Sequence, residues 1–146
     1  LVGQINGEFG EVGVAVVHYV RRNLTPENLV AMYRTGDVMM VTPLCDGMNL
    51  VAKEYVATRF DNSGTLVLSE FAGAAEELTD ALLVNPHDVD GIGAAILSAL
   101  TMDPAEAAGR MAKMRAIVRG NTVHDWARSF VADLVPARQR RSILGG

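Results

Sequence analysis

Two carboxylates in the segment from Thr42 to Glu54, TPLCDGMNLVAKE, are suited to binding a sugar. Asp46 offers two acceptor oxygens to paired sugar hydroxyls, and Glu54 follows it eight positions later. Gly47, directly after Asp46, lets the backbone approach a ligand closely. The residue types therefore predict recognition of hydroxyl groups at both ends of this segment.

Between the two carboxylates the sequence predicts a helix that begins near Met48 and ends near Thr58. The first turn of a helix presents free N–H groups and the positive end of its dipole, both of which favour a phosphate. Glu54 lies one turn beyond Leu50 on the same helix face. A ribose could then bind Glu54 while its pyrophosphate rests on the amides of Leu50 and Val51. This spacing is typical of a sugar-nucleotide site.

A purely structural interpretation of the same residues stays open. Asp46-Gly47 before a helix is also a common turn and cap, and Glu54 could be a solvated side chain paired with a neighbour such as Lys53. The spacing alone does not choose between a cap and a ligand site.

Alternating strands and helices must position this segment. A Thr-Pro pair at Thr25 predicts a helix start, and Asp88 and Asp103 predict two more. Single helices between strands imply right-handed βαβ units and a parallel sheet. The prediction is an α/β, Rossmann-like parallel-sheet fold with a helical C-terminal flank. Its strands are placed at residues 14–20, 37–42, 65–69 and 81–85, and its helices at 26–35, 48–58, 73–78, 89–100, 104–118 and 123–134.

The segment after the second strand therefore lies where open α/β sheets bind ligands, at the carboxyl ends of the strands. Residues 1–10 are expected to be the tail of an earlier element followed by a loop, so that the sequence begins in mid-domain. The predicted domain spans residues 1–135, and residues 136–146 form a basic, flexible tail.

Composition excludes several classes of protein. The 146 residues are 49% hydrophobic, which suits one domain, and no apolar run is long enough to span a membrane. Seventeen acidic against thirteen basic side chains leave a net charge of −4, which argues against a nucleic-acid partner. The single cysteine, Cys45, cannot form an intrachain disulfide and fits a cytoplasmic location. The three histidines, His18, His87 and His124, form no metal-ligand spacing with it, so no metal site is expected. No cofactor is expected either.

The last predicted helix carries an apolar stripe of Trp126, Phe130 and Leu134. These side chains are expected to pack in the core. If they are exposed instead, the stripe favours self-association into a homo-oligomer or binding to the half of the protein that this chain lacks.

Several motifs resemble those of one enzyme family. The run from Val41 to Val56, VTPLCDGMNLVAKEYV, is similar to the signature of the α,α-trehalose-phosphate synthases, which are retaining glycosyltransferases of the GT-B fold. LSEFAGAA at residues 68–75, LVNPHD at 83–88 and INGEFG at 5–10 match the family in order and spacing, as does His18-Tyr19. The resemblance covers residues 4 to 134 and places the chain in the later part of the C-terminal, donor-binding domain.

The resemblance implies transfer of glucose from UDP-glucose to glucose 6-phosphate, giving trehalose 6-phosphate, without a metal. Asp46 would be the catalytic-site residue that binds hydroxyls of the transferred glucose. The segment near Asn23 and Leu24 would contact the nucleobase through backbone. The remaining donor contacts would come from the backbone of Gly47, Met48 and Asn49, from the amides of Leu50 and Val51 at the diphosphate, and from Glu54 at the ribose hydroxyls.

Departures from the family pattern affect the expected activity. Cys45 stands where the family has an Arg before Asp-Gly. The Arg and Lys that grip the donor phosphates, and the whole domain that binds glucose 6-phosphate, precede this segment in the family. The isolated chain is therefore expected to be inactive. The alternatives are a non-catalytic remnant or nucleotide-sugar-binding module, and a GT-B glycosyltransferase that uses another acceptor.

Overall fold

The computed structural model describes residues 1–122, 124–132 and 134 of the chain. Its elements alternate between helix and strand over the middle of the sequence. In chain order they are α1 (Val2–Phe9), α2 (Pro26–Thr35), β1 (Val38–Val41), α3 (Leu50–Thr58), β2 (Thr65–Ser69), a 3-10 helix (Gly73–Glu76), β3 (Leu82–Val84), α4 (Val89–Thr101) and α5 (Pro104–Gly120). Residues 124–132 and 134 are also helical.

The three helix starts predicted from capping residues are confirmed. Thr25 accepts a hydrogen bond from the amide of the third residue of α2, at 3.4 Å. Asp88 caps α4 through the amide of Gly91, at 2.9 Å, and Asp103 caps α5 through the amides of its first turn. Each side chain satisfies an amide that the helix itself leaves without an acceptor.

The described strands form one parallel sheet in the order β1-β2-β3. Val38 pairs with Thr65 in the first ladder, and Val67 pairs with Leu82 in the second. Helical segments connect successive strands, which confirms the α/β fold class. Because the strands are parallel, their carboxyl ends meet at one edge, and the loops after β1 and β2 lie side by side there.

The core lies on both faces of β2, whose five residues are all buried. Leu66 and Leu68 belong to the larger apolar cluster, with Tyr55 of α3 and the two methionines of α5, Met111 and Met114. Val67 points to the opposite face, because side chains alternate along a strand. It packs there with Val84 and Ala99. Burial on both faces is the usual environment of a central parallel strand.

The prediction of a strand at residues 14–20 is wrong. Among the described residues this segment forms only one antiparallel bridge, between Glu11 and Val14. The side-chain amide of Asn6 donates to the carbonyl of Val17, at 2.9 Å, and accepts from its N–H, at 2.7 Å. A β-branched run favours extended backbone, but a strand also needs a neighbour to pair with. Here a side chain of α1 provides that pairing.

Residues 2–9 form helix α1, so the loop expected within residues 1–10 begins only after Phe9. No side chain caps its first turn, and two glycines lie within it. Both features weaken the helical signal in the sequence.

The apolar stripe after α5 is not part of the core. Trp126 and Phe130 stack on each other, with ring centroids 5.3 Å apart, and are 55% and 52% exposed. The expectation of core packing is therefore wrong for these two rings. The predicted tail, residues 136–146, lies outside the described residues. None of the described helices is long and apolar enough to cross a bilayer.

Candidate functional site

The loop between β1 and α3 is attached to the end of β2. The N–H of Asp46 donates to the carbonyl of Phe71, at 3.2 Å, and the N–H of Gly73 donates to the carbonyl of Asp46, at 2.8 Å. These bonds form a parallel bridge between Asp46 and Ala72, which continues the sheet pairing beyond the strands. The predicted position of Asp46, at the carboxyl edge of the sheet, is confirmed.

Gly73 allows this attachment because it has no Cβ. A Cβ at Gly73 would lie 2.2 Å from the carbonyl oxygen of Gly47, closer than any tolerated contact. The backbone of the loop therefore rests directly on the backbone after β2. In the sequence LSEFAGAA is visible only as a family motif, whereas the close approach at Gly73 is a tertiary contact.

The Asp46 carboxylate organises the loop around it. One oxygen accepts from the amides of Met48 and Asn49, at 3.1 and 3.0 Å, and the other accepts from the Asn49 side-chain amide, at 2.9 Å. The bond from the Met48 amide is the largest of the interactions that lower the pKa of Asp46. A carboxylate has about four lone-pair sites, so acceptor capacity remains for a ligand hydroxyl.

Asn49, and not Asp46, caps helix α3. Its side chain accepts from the amide of Ala52, at 3.0 Å, and its backbone is left-handed, with φ of 63°. Asparagine tolerates this conformation better than most residues. The helix consequently begins at Leu50, two residues after the predicted start. Of the turn and cap suggested for Asp46-Gly47, the turn is present, because Asp46 accepts from the amides of Met48 and Asn49, whereas the cap is Asn49.

The first two amides of α3 carry no intramolecular hydrogen bond among the described residues. Asn49 takes the amide of Ala52, while the amides of Leu50 and Val51 have no acceptor within their own helix. The side chains of Leu50 and Val51 are themselves exposed. Two free N–H groups at a helix N-terminus are an arrangement that can bind an anion.

Glu54 lies one turn into the same helix and is exposed. Its carboxylate accepts a hydrogen bond from the phenol of Tyr33 on α2, at 3.2 Å. Lys53, the neighbour suggested as an ion-pair partner for Glu54, instead binds Glu77 at 2.6 Å. Asp46, in the loop before α3, and Glu54, within α3, thus flank the two free amides.

Leu24 lies directly before the capping residue of α2 and is partly buried. Because α2 packs against α3, and Tyr33 of α2 reaches Glu54, the two predicted contact regions belong to neighbouring helices. Cys45 is exposed beside Asp46 and is a free thiol.

A cleft of about 470 Å³, which no sequence pattern indicated, adjoins the loop. Lys53 and Glu77 form an ion pair on its wall, and the Asn121 side chain donates to Glu77 at 2.9 Å. The Lys53 hydrogen bond is the main interaction that lowers the pKa of Glu77. Lys53, Glu77 and Asn121 are far apart in the sequence, so no local spacing predicts that they meet. Across the described residues, no group of metal-ligating side chains is assembled.

The fold and the site together define a class of protein. This is an α/β domain with free helix amides and two carboxylates at the carboxyl edge of a parallel sheet, the edge at which such sheets bind ligands. Comparison with known proteins then gives the family. The chain belongs to glycosyltransferase family 20, whose model matches residues 1–135.

Over the matched segment, relatives in this family are about half identical to the chain. The trehalose-6-phosphate synthase of Mycolicibacterium vanbaalenii is 58% identical over 130 residues, which are 89% of this chain and 26% of that protein. An E. coli structure bound with UDP-2-fluoro glucose is 48% identical, with a TM-score of 0.85, over 91% of this chain and 30% of that one.

A Burkholderia xenovorans α,α-trehalose-phosphate synthase (UDP-forming) in complex with glucose-6-phosphate is 47% identical, with a TM-score of 0.85. The match covers 91% of this chain and 30% of that structure. The chain therefore spans about a quarter to a third of the length of the relatives that it matches.

Proposed function

We propose that the chain supplies the donor-binding part of a trehalose-6-phosphate synthase. In this role it binds UDP-glucose at the edge of the sheet and presents the glucose for transfer to glucose 6-phosphate, which binds to a part of the enzyme outside this chain. The relatives with bound UDP-2-fluoro glucose and bound glucose-6-phosphate support these substrates.

The observation that carries the proposal is the pair of free amides at Leu50 and Val51, flanked by two carboxylates. The amides bind the diphosphate, whose negative charge increases as it leaves the sugar, so the helix N-terminus stabilises the leaving group. Glu54 accepts from the ribose hydroxyls. Asp46 accepts from hydroxyls of the glucose, and the backbone of Gly47, Met48 and Asn49 lines the same pocket.

At the nucleobase, Leu24 contacts the ring through its backbone, beside the start of α2. The site needs no metal in this proposal, because the helix N-terminus and the Arg and Lys that the family carries outside this chain face the phosphates. Cys45 replaces the arginine of the family pattern, so this chain has one charge fewer beside the glucose.

The setting proposed for the protein is the cytoplasm, because its one cysteine is exposed and free. Self-association is also proposed, because the rings of Trp126 and Phe130 are exposed. Sedimentation would then measure an apparent molecular mass that rises with protein concentration.

Calorimetry with UDP and UDP-glucose on the full chain tests the donor site. Glu54→Ala is expected to weaken the binding of both ligands by about ten- to a hundredfold, since a charge-assisted hydrogen bond is worth about 1.5–3 kcal/mol. Asp46→Ala is expected to weaken the binding of UDP-glucose more than the binding of UDP, because only UDP-glucose carries the sugar that Asp46 faces.

Asp90→Ala, on the exposed first turn of α4, is the matched control and is expected to bind both ligands like the unmodified chain. Absence of binding to folded protein, or equal affinities for all three variants, would overturn the proposal.

A further inference from the structure

A buried phenol on α2 holds the carboxylate that is proposed to bind ribose. Tyr33 is 8% exposed, and its hydroxyl lies 3.2 Å from the exposed carboxylate of Glu54 on α3. The donor is thus fixed inside the protein, while the acceptor faces solvent. Neither the capping pattern nor the family motifs single out Tyr33.

Tyr33 is held at both its backbone and its ring. Nη1 of Arg59 donates to the carbonyls of Tyr33 and Arg34, at 3.1 and 2.7 Å, which attaches the end of α2 to α3. The ring meets that of Tyr55 edge-on, with centroids 6.3 Å apart and planes at 84°. Such contacts restrict the ring to one position, so the direction of its O–H bond is restricted as well.

The phenol acts as a donor at neutral pH. Burial, followed by the hydrogen bond to Glu54, raises the pKa of Tyr33 above its usual value of 10.0. A neutral phenol donates one hydrogen bond and leaves the negative charge on Glu54 intact.

We propose that Tyr33 is a positioning residue that orients Glu54 for the ribose of the donor; this inference rests on the proposed function. A free glutamate side chain loses rotamer freedom when a ligand orders it. With one oxygen held by Tyr33, Glu54 is ordered beforehand and the other oxygen faces the ribose. Binding then costs less conformational entropy. Because α2 also begins beside Leu24, one helix positions the groups that face nucleobase and ribose.

The test measures binding of UDP and of 2′-deoxy-UDP to the full chain by calorimetry. Tyr33→Phe keeps the ring and removes only the hydroxyl, so the protein is expected to fold normally. We expect UDP affinity to fall about three- to tenfold, and the preference for UDP over 2′-deoxy-UDP to decrease by a similar factor. In a Glu54→Ala background, Tyr33→Phe is expected to have no further effect.

Tyr55→Phe is the matched control, because Tyr55 is also a buried phenol, whose hydroxyl donates to the carbonyl of Thr65 at 3.4 Å. Removal of the Tyr55 hydroxyl is expected to leave the ratio of the UDP and 2′-deoxy-UDP affinities unchanged. A loss of stability alone would change the UDP affinity of both variants to a similar extent.

The outcomes separate the two proposals. If Glu54→Ala does not weaken the binding of UDP, the proposed donor site itself is overturned. If Glu54→Ala weakens UDP while Tyr33→Phe changes neither the affinity nor the ratio, only the positioning role of Tyr33 is overturned. Additive effects in the double variant would also overturn it.

Discussion

At the scale of single residues, Asp46 has a structural role in addition to the proposed binding role. Its carboxylate accepts three hydrogen bonds from Met48 and Asn49 and so shapes the loop that precedes α3. The same residue can therefore position the free amides of the helix and face the glucose. Substitutions at this position are expected to affect both stability and ligand binding.

Acid is expected to remove the contribution of Asp46 to stability. Its pKa in the folded chain lies below the ordinary 3.8, so the stabilisation is fully present above the unfolded-state value and is lost as pH falls through the folded value. We expect the difference in melting temperature between the unmodified chain and Asp46→Asn to be largest near pH 7 and to shrink below about pH 4.

Circular dichroism at several pH values measures this difference. The other carboxylates titrate in both proteins, so their contributions cancel between them. A difference that stays constant from pH 7 to pH 3 would show that the charge of Asp46 does not stabilise the loop.

Gly73 is expected to be intolerant of any side chain. A Cβ there would collide with the Gly47 carbonyl, so Gly73→Ala must displace the loop that carries Asp46. We expect a loss of about 1–3 kcal/mol in the free energy of unfolding, typical of overpacking, together with weaker UDP-glucose binding.

Gly93→Ala is the control for Gly73→Ala, and urea denaturation measures both. A Cβ at Gly93 meets open space within α4. This variant is expected to gain about 0.5–1 kcal/mol, because alanine favours a helix more than glycine does. Equal stability of the two variants would contradict the close approach of the backbones at Gly73.

At the scale of elements, the junction of α2 with α3 depends on one buried arginine. Arg59, only 3% exposed, donates to the carbonyls of Tyr33, Arg34 and Ser63. It thereby satisfies carbonyls at the C-terminal end of α2, where a helix leaves its last oxygens without a partner. These bonds attach the end of α2 that carries Tyr33 to the end of α3.

Arg59→Met is expected to lower the free energy of unfolding by about 2–4 kcal/mol, because it leaves buried carbonyls without a donor. Arg34→Met serves as the control. Arg34 is exposed and stacks over the Phe60 ring at 4.2 Å, a contact worth about 0.5–1 kcal/mol. Urea denaturation compares the two variants, and similar losses would contradict a special role for Arg59.

At the scale of the whole molecule, the chain covers only 26% of its Mycolicibacterium vanbaalenii relative. Most residues of that trehalose-6-phosphate synthase have no counterpart in this chain. Binding of a donor needs only the edge of one sheet, whereas transfer also needs an acceptor held at reacting distance. This chain is therefore expected to bind the donor without turning it over.

We expect the isolated chain to form no measurable trehalose 6-phosphate from UDP-glucose and glucose 6-phosphate. A coupled assay for UDP release, with chromatography of the sugar phosphates, measures this, and the E. coli relative is the positive control. A time-dependent rise in trehalose 6-phosphate would show that the chain carries a complete site. Donor binding without turnover would favour a nucleotide-sugar-binding module.

Local patterns predicted much of the fold. The caps at Thr25, Asp88 and Asp103 placed three helices, and the apolar run at residues 65–69 placed β2 at its observed bounds. These features depend on neighbours a few residues apart, which a sequence displays directly. The predicted strand at residues 14–20 failed because pairing depends on what lies beside a strand, and here a side chain of α1 lies there.

The sequence alone determined the chemistry that the site can offer: the carboxylates of Asp46 and Glu54, and a helix start between them. Only the tertiary structure decided how these groups are held. Gly73 meets Gly47, Asn49 replaces Asp46 as the cap, and Tyr33 meets Glu54 across 21 positions. The physical reason is that capping and periodicity are local, whereas close approach and side-chain orientation arise from packing between elements distant in the chain.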